Sequence, residues 1–191
     1  MGFLDVLRGK RQLKKPVATD RVFAMTTAQI KLEMELGLSG TGKAAIVFQP
    51  LATADFEGIV RDMEELVRSS GEETGTTIEV SDDEFGYRWM ILVDPDFEDL
   101  VVGLNAVSTA LEGGGYGDRI LCAVFAFRDE PGKPVYWIYN YKRGAFYPFV
   151  PAAGEQQRDN EREMRLKAQI GAELPVEAEL ERWFPLWGIP I

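Results

Sequence analysis

Few side chains in this 191-residue chain are placed to do chemistry. There is no histidine, so the usual base for activating a serine or cysteine nucleophile is missing. The single cysteine, Cys122, lies inside the apolar run Ile120 to Phe127, a setting that suits a small buried hydrophobe better than a thiolate. Asp82, Asp83 and Glu84 are consecutive, and consecutive acids at a hairpin tip diverge into water instead of converging on a cation. Gly37 to Ala44 reads GLSGTGKA, close to the phosphate loop G-x-x-x-x-G-K-[ST]. Ala44 lacks the hydroxyl that would hold magnesium. Ala45 to Phe48 also continue as a strand, where that loop must enter a helix. These glycines are therefore read as a hairpin turn.

A more promising group is Tyr141 to Phe149, YKRGAFYPF. Lys142 and Arg143, with Gly144 at a strand end, precede the aromatics Phe146, Tyr147 and Phe149, and Arg158 follows nearby. Two cations beside a glycine suit a small anionic ligand or an acidic partner segment. The alternative is a hairpin with solvated charges whose aromatics pack under the tail. Trp183, Phe184 and Trp187 near the end are either an interface anchor or a latch on the domain's own core. No catalytic residue, metal ligand or cofactor is expected. The expected work is contact and not conversion.

The elements that must position these residues can be read from periodicity. Ile120 to Phe127 has no polar face and predicts a central strand buried on both sides. Residues 128–134 make a turn. Val135, Trp137, Tyr139 and Tyr141 then share one strand face, against Tyr136, Ile138, Asn140 and Lys142 on the other. Ile30, Leu32, Met34 and Leu36 alternate with polar residues and predict a strand from Ala28. Phe56, Ile59, Val60, Met63, Leu66 and Val67 share a helical face, with Thr53 or Asp55 as cap. A second helix is expected to start at Asp94-Pro95, carry Phe97, Leu100, Val101, Leu104, Val107 and Leu111 inward, and be ended by Gly113-Gly114-Gly115. Strands are expected at Thr77 to Val80 and Tyr87 to Val93. The fold class is α+β: a single mostly antiparallel β-sheet with a split β-α-β-β-α-β (ferredoxin-like) core, extra hairpin strands and C-terminal helices. Both helices should lie on one face, with residues 150–191 covering part of the other.

At this length one domain, residues 17–191, can bury a sizeable core. The net charge of −10 argues against nucleic acid as a partner. Its distribution is uneven: residues 55–118 hold three bases and seventeen acids, residues 119–167 nine bases and six acids. Residues 1–16 form a separate basic amphipath. Phe3, Leu4 and Leu7 are spaced for one helical face, followed by Lys10, Arg11, Lys14 and Lys15, a composition attracted to an anionic membrane surface. A lone cysteine suits a reducing cytoplasm, and no apolar stretch is long enough to span a bilayer.

Several stretches carry a resemblance. MGFLDVL at the start, DRVFAM at 20–25, LCAVFAFRDE at 121–130, YKRGAFYPF at 141–149, GEQQRDN at 154–160 and RWFPLWGIP at 182–190 resemble the PspA-associated protein family PspAB, across nearly the whole chain. The resemblance implies a cytoplasmic accessory of the phage-shock system, whose partner is a PspA-like coiled-coil protein at the inner face of a stressed membrane. It brings no catalytic residue and no cofactor onto any position here.

Overall fold

A computed structural model describes residues 21–191, apart from the side chains of residues 70 and 72–74. Ala24–Met34 forms helix α1, Leu38–Phe48 strand β1, Ala54–Thr74 helix α2, Thr77–Asp82 strand β2, Arg88–Val93 strand β3 and Phe97–Gly113 helix α3. Strands β4 (Ile120–Asp129), β5 (Pro134–Asn140) and β6 (Ala145–Phe149) then run as a meander into helix α4, Asn160–Ile170. The six strands make one antiparallel sheet in the order β2-β3-β1-β4-β5-β6. The element order from β1 to β4 is strand, helix, strand, strand, helix, strand, as the sequence pattern predicts.

β4 is buried along nearly its whole length between β1 and β5, as its unbroken apolar run requires. The two faces of β5 separate two cores. Val135, Trp137 and Tyr139 join the helix-side core with Phe125, Phe127, Ile46, Leu92, Leu100 and Leu104. Tyr136 and Ile138 join the opposite core with Val47, Ile91, Val124, Tyr147, Phe149 and Trp183. The tail covers this second face with Trp183 in the core and Val176, Leu186, Trp187, Ile189 and Ile191 packed against it. Contrary to the expectation for all of 150–191, α4 lies with the other helices, placing Leu166 and Ile170 in the helix-side core.

Three expectations are corrected. The segment from Ala28 is helical, not extended. Met25, Ala28 and Leu32 face the core at helical spacing, while Ile30 and Met34 point outward at 56% and 83% exposure. The buried face of α1 is carried partly by an alanine, so the larger apolar residues mimicked a period of two. The glycines at 37–42 make no hairpin turn: Gly37 lies between α1 and β1, and Gly40 and Gly42 lie within β1. Its register against β4 jumps from Gly40↔Phe127 to Ala44↔Phe125, a bulge with Gly42 at φ +71°. The Gly42 carbonyl accepts from the Asp94 amide at 2.9 Å, and a Cβ at Gly42 would lie 3.0 Å from the Asp94 oxygen. Finally, α3 is capped by Asp96, which accepts from the Glu98 amide. Asp94 is buried, and its carboxylate is taken by the Thr76 hydroxyl and the Asp96 amide, so the helix starts later than Pro95.

Candidate functional site

The β5–β6 turn is built as its sequence demands. The Asn140 carbonyl accepts from the Gly144 amide at 2.8 Å, and Gly144 takes φ +61°. This aims Arg143 at the tail. Its Nε lies 2.8 Å from Glu177 Oε2, and Nη2 lies 3.1 Å from Glu179 Oε1. The Arg143 guanidinium holds the Glu177 carboxyl below the usual carboxylate range. Lys142 is exposed at the turn.

Arg158 stands elsewhere, on the approach to α4. It pairs with Glu163, which is only 1% exposed. Arg158 Nε donates to both Glu163 oxygens at 3.0 and 2.9 Å, and Nη1 donates to the Trp183 carbonyl at 2.6 Å. Nη2 sits 2.8 Å from Oε2 with its N–H directions turned aside, an electrostatic contact without a directed hydrogen bond. Glu163 also accepts from the Val150 amide at 2.9 Å. Burial pushes the Glu163 carboxyl up, Arg158 and the Val150 amide pull it back, and the net direction is upward. The Arg158 guanidinium lies 5.4 Å from the centre of the Phe149 ring.

Tyr147 and Trp187 belong to the same latch. Tyr147 stacks on Trp183 at 6.2 Å and donates its hydroxyl to the Phe184 carbonyl at 3.0 Å. Burial raises its ionisation above the ordinary tyrosine range. Trp187 meets Phe149 edge-on at 5.2 Å. Trp183 is buried and donates its indole N–H to the Glu177 carbonyl. The aromatic ending therefore closes on its own sheet, with Phe184 left exposed.

Arg143, Tyr147 and Arg158 thus each meet the tail that carries Trp187, at separate points, while Lys142 stays exposed at the turn, and the two arginines are already paired with carboxylates of the same chain. Arg158, Glu163, Leu180 and Trp183 line a concavity of about 360 Å³ that Lys142 and Arg143 do not border. Two acids of the β2–β3 tip, Asp82 and Asp83, are likewise engaged. Asp82 binds Arg88 through two bonds of 2.7 and 2.9 Å. Asp83 accepts from the amides of Phe85 and Tyr87 and from the Trp89 indole. Cys122 is buried, and burial pushes its thiol up to about 12. The membrane-surface residues Phe3, Leu4, Leu7, Lys10, Arg11, Lys14 and Lys15 lie outside the described residues.

Sequence reasoning missed two surfaces. Phe23, Ile30 and Met34 recur at i, i+7 and i+11 on the outer face of α1 and are all exposed. The signal was present as surplus apolar residues, absorbed by the strand reading. The second is a concavity of about 410 Å³ at the β1 bulge, bordered by Lys43 and Arg128, whose juxtaposition depends on the β1–β4 register. Among the described residues, no helix is long and apolar enough to cross a membrane.

Comparison with known proteins gives one match: the family model for PspA associated protein B covers residues 1–191. No curated protein and no solved structure matches the chain. By that full-length match, the chain belongs to the PspA associated protein B family.

Proposed function

We propose that this protein is a non-enzymatic, cytoplasmic accessory of a phage-shock-type membrane-stress response, which binds a PspA-like protein through the outer face of α1. The family's description names an association with PspA. The observation that carries the contact surface is the exposed stripe Phe23, Ile30 and Met34. A helix that already buries Met25, Ala28 and Leu32 gains nothing for its own fold from large apolar groups on the opposite side. Such a stripe suits the apolar face of a partner helix, read at i, i+3 or i+4, and i+7. The bulk of the aromatic residues at the chain's end is spent on the second core, so the helix layer is the better candidate for a partner.

The test is capture of a PspA-like protein by the full chain and by Ile30→Glu with Met34→Glu. The double variant should lose capture by at least about tenfold, the scale of a centrally placed apolar contact. Met164→Glu, on the exposed side of α4, should retain it. Equal capture by all three chains would remove α1 as the surface. The peripheral-membrane part of the reading rests on the basic N-terminal amphipath. Sedimentation with anionic vesicles, comparing the full chain with one starting at Val17, decides that part separately.

A further inference from the structure

The β1 bulge creates a second feature, unrelated to the α1 stripe and on the opposite side of the sheet. A four-residue step on β1, from Gly40 to Ala44, faces a two-residue step on β4, from Phe127 to Phe125, which takes Thr41, Gly42 and Lys43 out of the ladder with β4. Lys43 shares a face with Ala45 and Val47, which are both in the tail-side core. Arg128, paired in register with Ser39 and two residues beyond Ala126, emerges on that same face. The tail reaches this hollow at Tyr136, whose hydroxyl donates to the Ile191 main-chain oxygen at 3.2 Å, and Ile191 borders it. The resulting concavity of about 410 Å³ has Pro134, Tyr136 and Ile191 as apolar wall and Ser39, Thr41, Lys43 and Arg128 as polar rim.

The charge here differs from that around the tail. Arg143, Arg158, Arg162 and Arg88 all sit in ion pairs with carboxylates of this chain. Among the described residues, neither Lys43 nor Arg128 has an ion-pair partner. Asp129, beside Arg128 in sequence, is taken by Arg162 at 2.7 Å on the other side of the strand. Glu33 reaches the Gly40 amide at 3.3 Å from α1, on the helix side. Two unpaired cations of a chain with net charge −10 therefore border one hollow, with a serine hydroxyl beside them.

We propose that this hollow binds the phosphate group of a small organic phosphate, held by Arg128 and Lys43 with Ser39 as a further donor. Guanidinium and ammonium groups are the side chains that recognise phosphate, arginine through paired donors and lysine as a point charge. The volume lies at the lower end of small-ligand sites, which suits a phosphomonoester or a single lipid headgroup more than a dinucleotide. The resemblance of GLSGTGKA to a phosphate loop plays no part in this, since the segment is a bulged strand with no helix behind it.

The two sources of that phosphate are separated by titrating the full-length protein with glycerol 3-phosphate and, separately, with a short-chain phosphatidylglycerol kept below its micelle concentration. Binding is read by amide chemical shifts at Gly40, Thr41, Lys43 and Gly132. Saturable shifts at these amides with either probe, weakened at least about tenfold in Lys43→Gln with Arg128→Gln and retained in Lys142→Gln, support the site. Response to the lipid alone assigns a headgroup, and response to the monoester assigns a free phosphate ester. No saturable shift with either probe, or binding unchanged in the double variant, overturns it. Both side chains lie at the surface of the hollow, and an unchanged thermal midpoint verifies that the double variant is folded.

Discussion

Arg158 is the residue whose removal should report most directly on how the tail is held. It joins the Glu163 carboxylate on α4, the Trp183 carbonyl of the tail and the ring of Phe149 on β6. Replacing it with methionine keeps much of the volume and strands Glu163, which is 1% exposed, as a buried charge without a partner. Breaking one half of such a pair costs about 3–5 kcal/mol. Because Arg158 is itself partly exposed, the lower end applies, about 3 kcal/mol. For a chain of this size that is a fall of about 6–12 °C in the thermal midpoint. Adding Glu163→Gln removes the stranded charge and keeps an oxygen for the Val150 amide, so the double variant should recover more than half of the loss. The pH dependence has a definite sign. The Glu163 carboxyl is already held above its ordinary value, so its contribution is complete below the usual carboxylate range and is lost as pH rises through the raised value. Arg158→Met removes a downward pull, so its deficit should be smaller near about pH 5 than near about pH 8. Urea unfolding followed by tryptophan fluorescence measures all of this. A double variant no more stable than Arg158→Met, or a deficit that shrinks as pH rises, would refute the buried-charge reasoning.

Two further outcomes follow from the interior. Cys122, with its thiol raised to about 12 by burial, should resist a thiol-specific disulfide reagent in native buffer near about pH 8 and react fully in denaturant, with one sulfur per chain. Labelling of the folded protein at the rate of a free thiol would contradict that burial. Gly42→Ala should cost about 1–2 kcal/mol for the left-handed backbone alone, and more because its Cβ would press on the Asp94 oxygen. Gly86→Ala, at φ +82° with open space around it, should pay only the first part, and equal losses in urea unfolding would show that the close approach is immaterial.

What was legible in the sequence is what local pattern determines. The apolar run of β4, the two-faced alternation of β5, the apolar faces of α2 and α3 and the Thr53 cap of α2 all announce elements that form at those places. Where reading failed, tertiary context decided. Ala28 is a core residue of α1 only because the helix lies close to the sheet, and alanine gives no apolar signal strong enough to oppose Ile30 and Met34. The bulge at Gly42 lies against Asp94, a residue 52 positions away in sequence. The basic cluster around Arg143 and Arg158 was visible as charge, but the glutamates that neutralise it, Glu177 and Glu163, are identified only once the tail folds back. Conversely, Lys43 and Arg128 are separated by most of the sheet's sequence and are joined by register alone.

The two surfaces left open by this folding are different in kind, and β1 lies between them. The α1 stripe is apolar and faces outward from the helix layer; the bulge hollow is basic and opens on the tail side. A partner on α1 therefore does not compete for space with a phosphate at Lys43 and Arg128. They are nevertheless linked through the packing of α1 on β1, which includes Glu33, adjacent to Met34, accepting from the Gly40 amide at the start of the bulge. A partner that pulled α1 away from the sheet would release that amide and loosen the segment that presents Lys43. If occupation of the hollow favours the seated position of α1, then by linkage the seated α1 must favour occupation by the same factor.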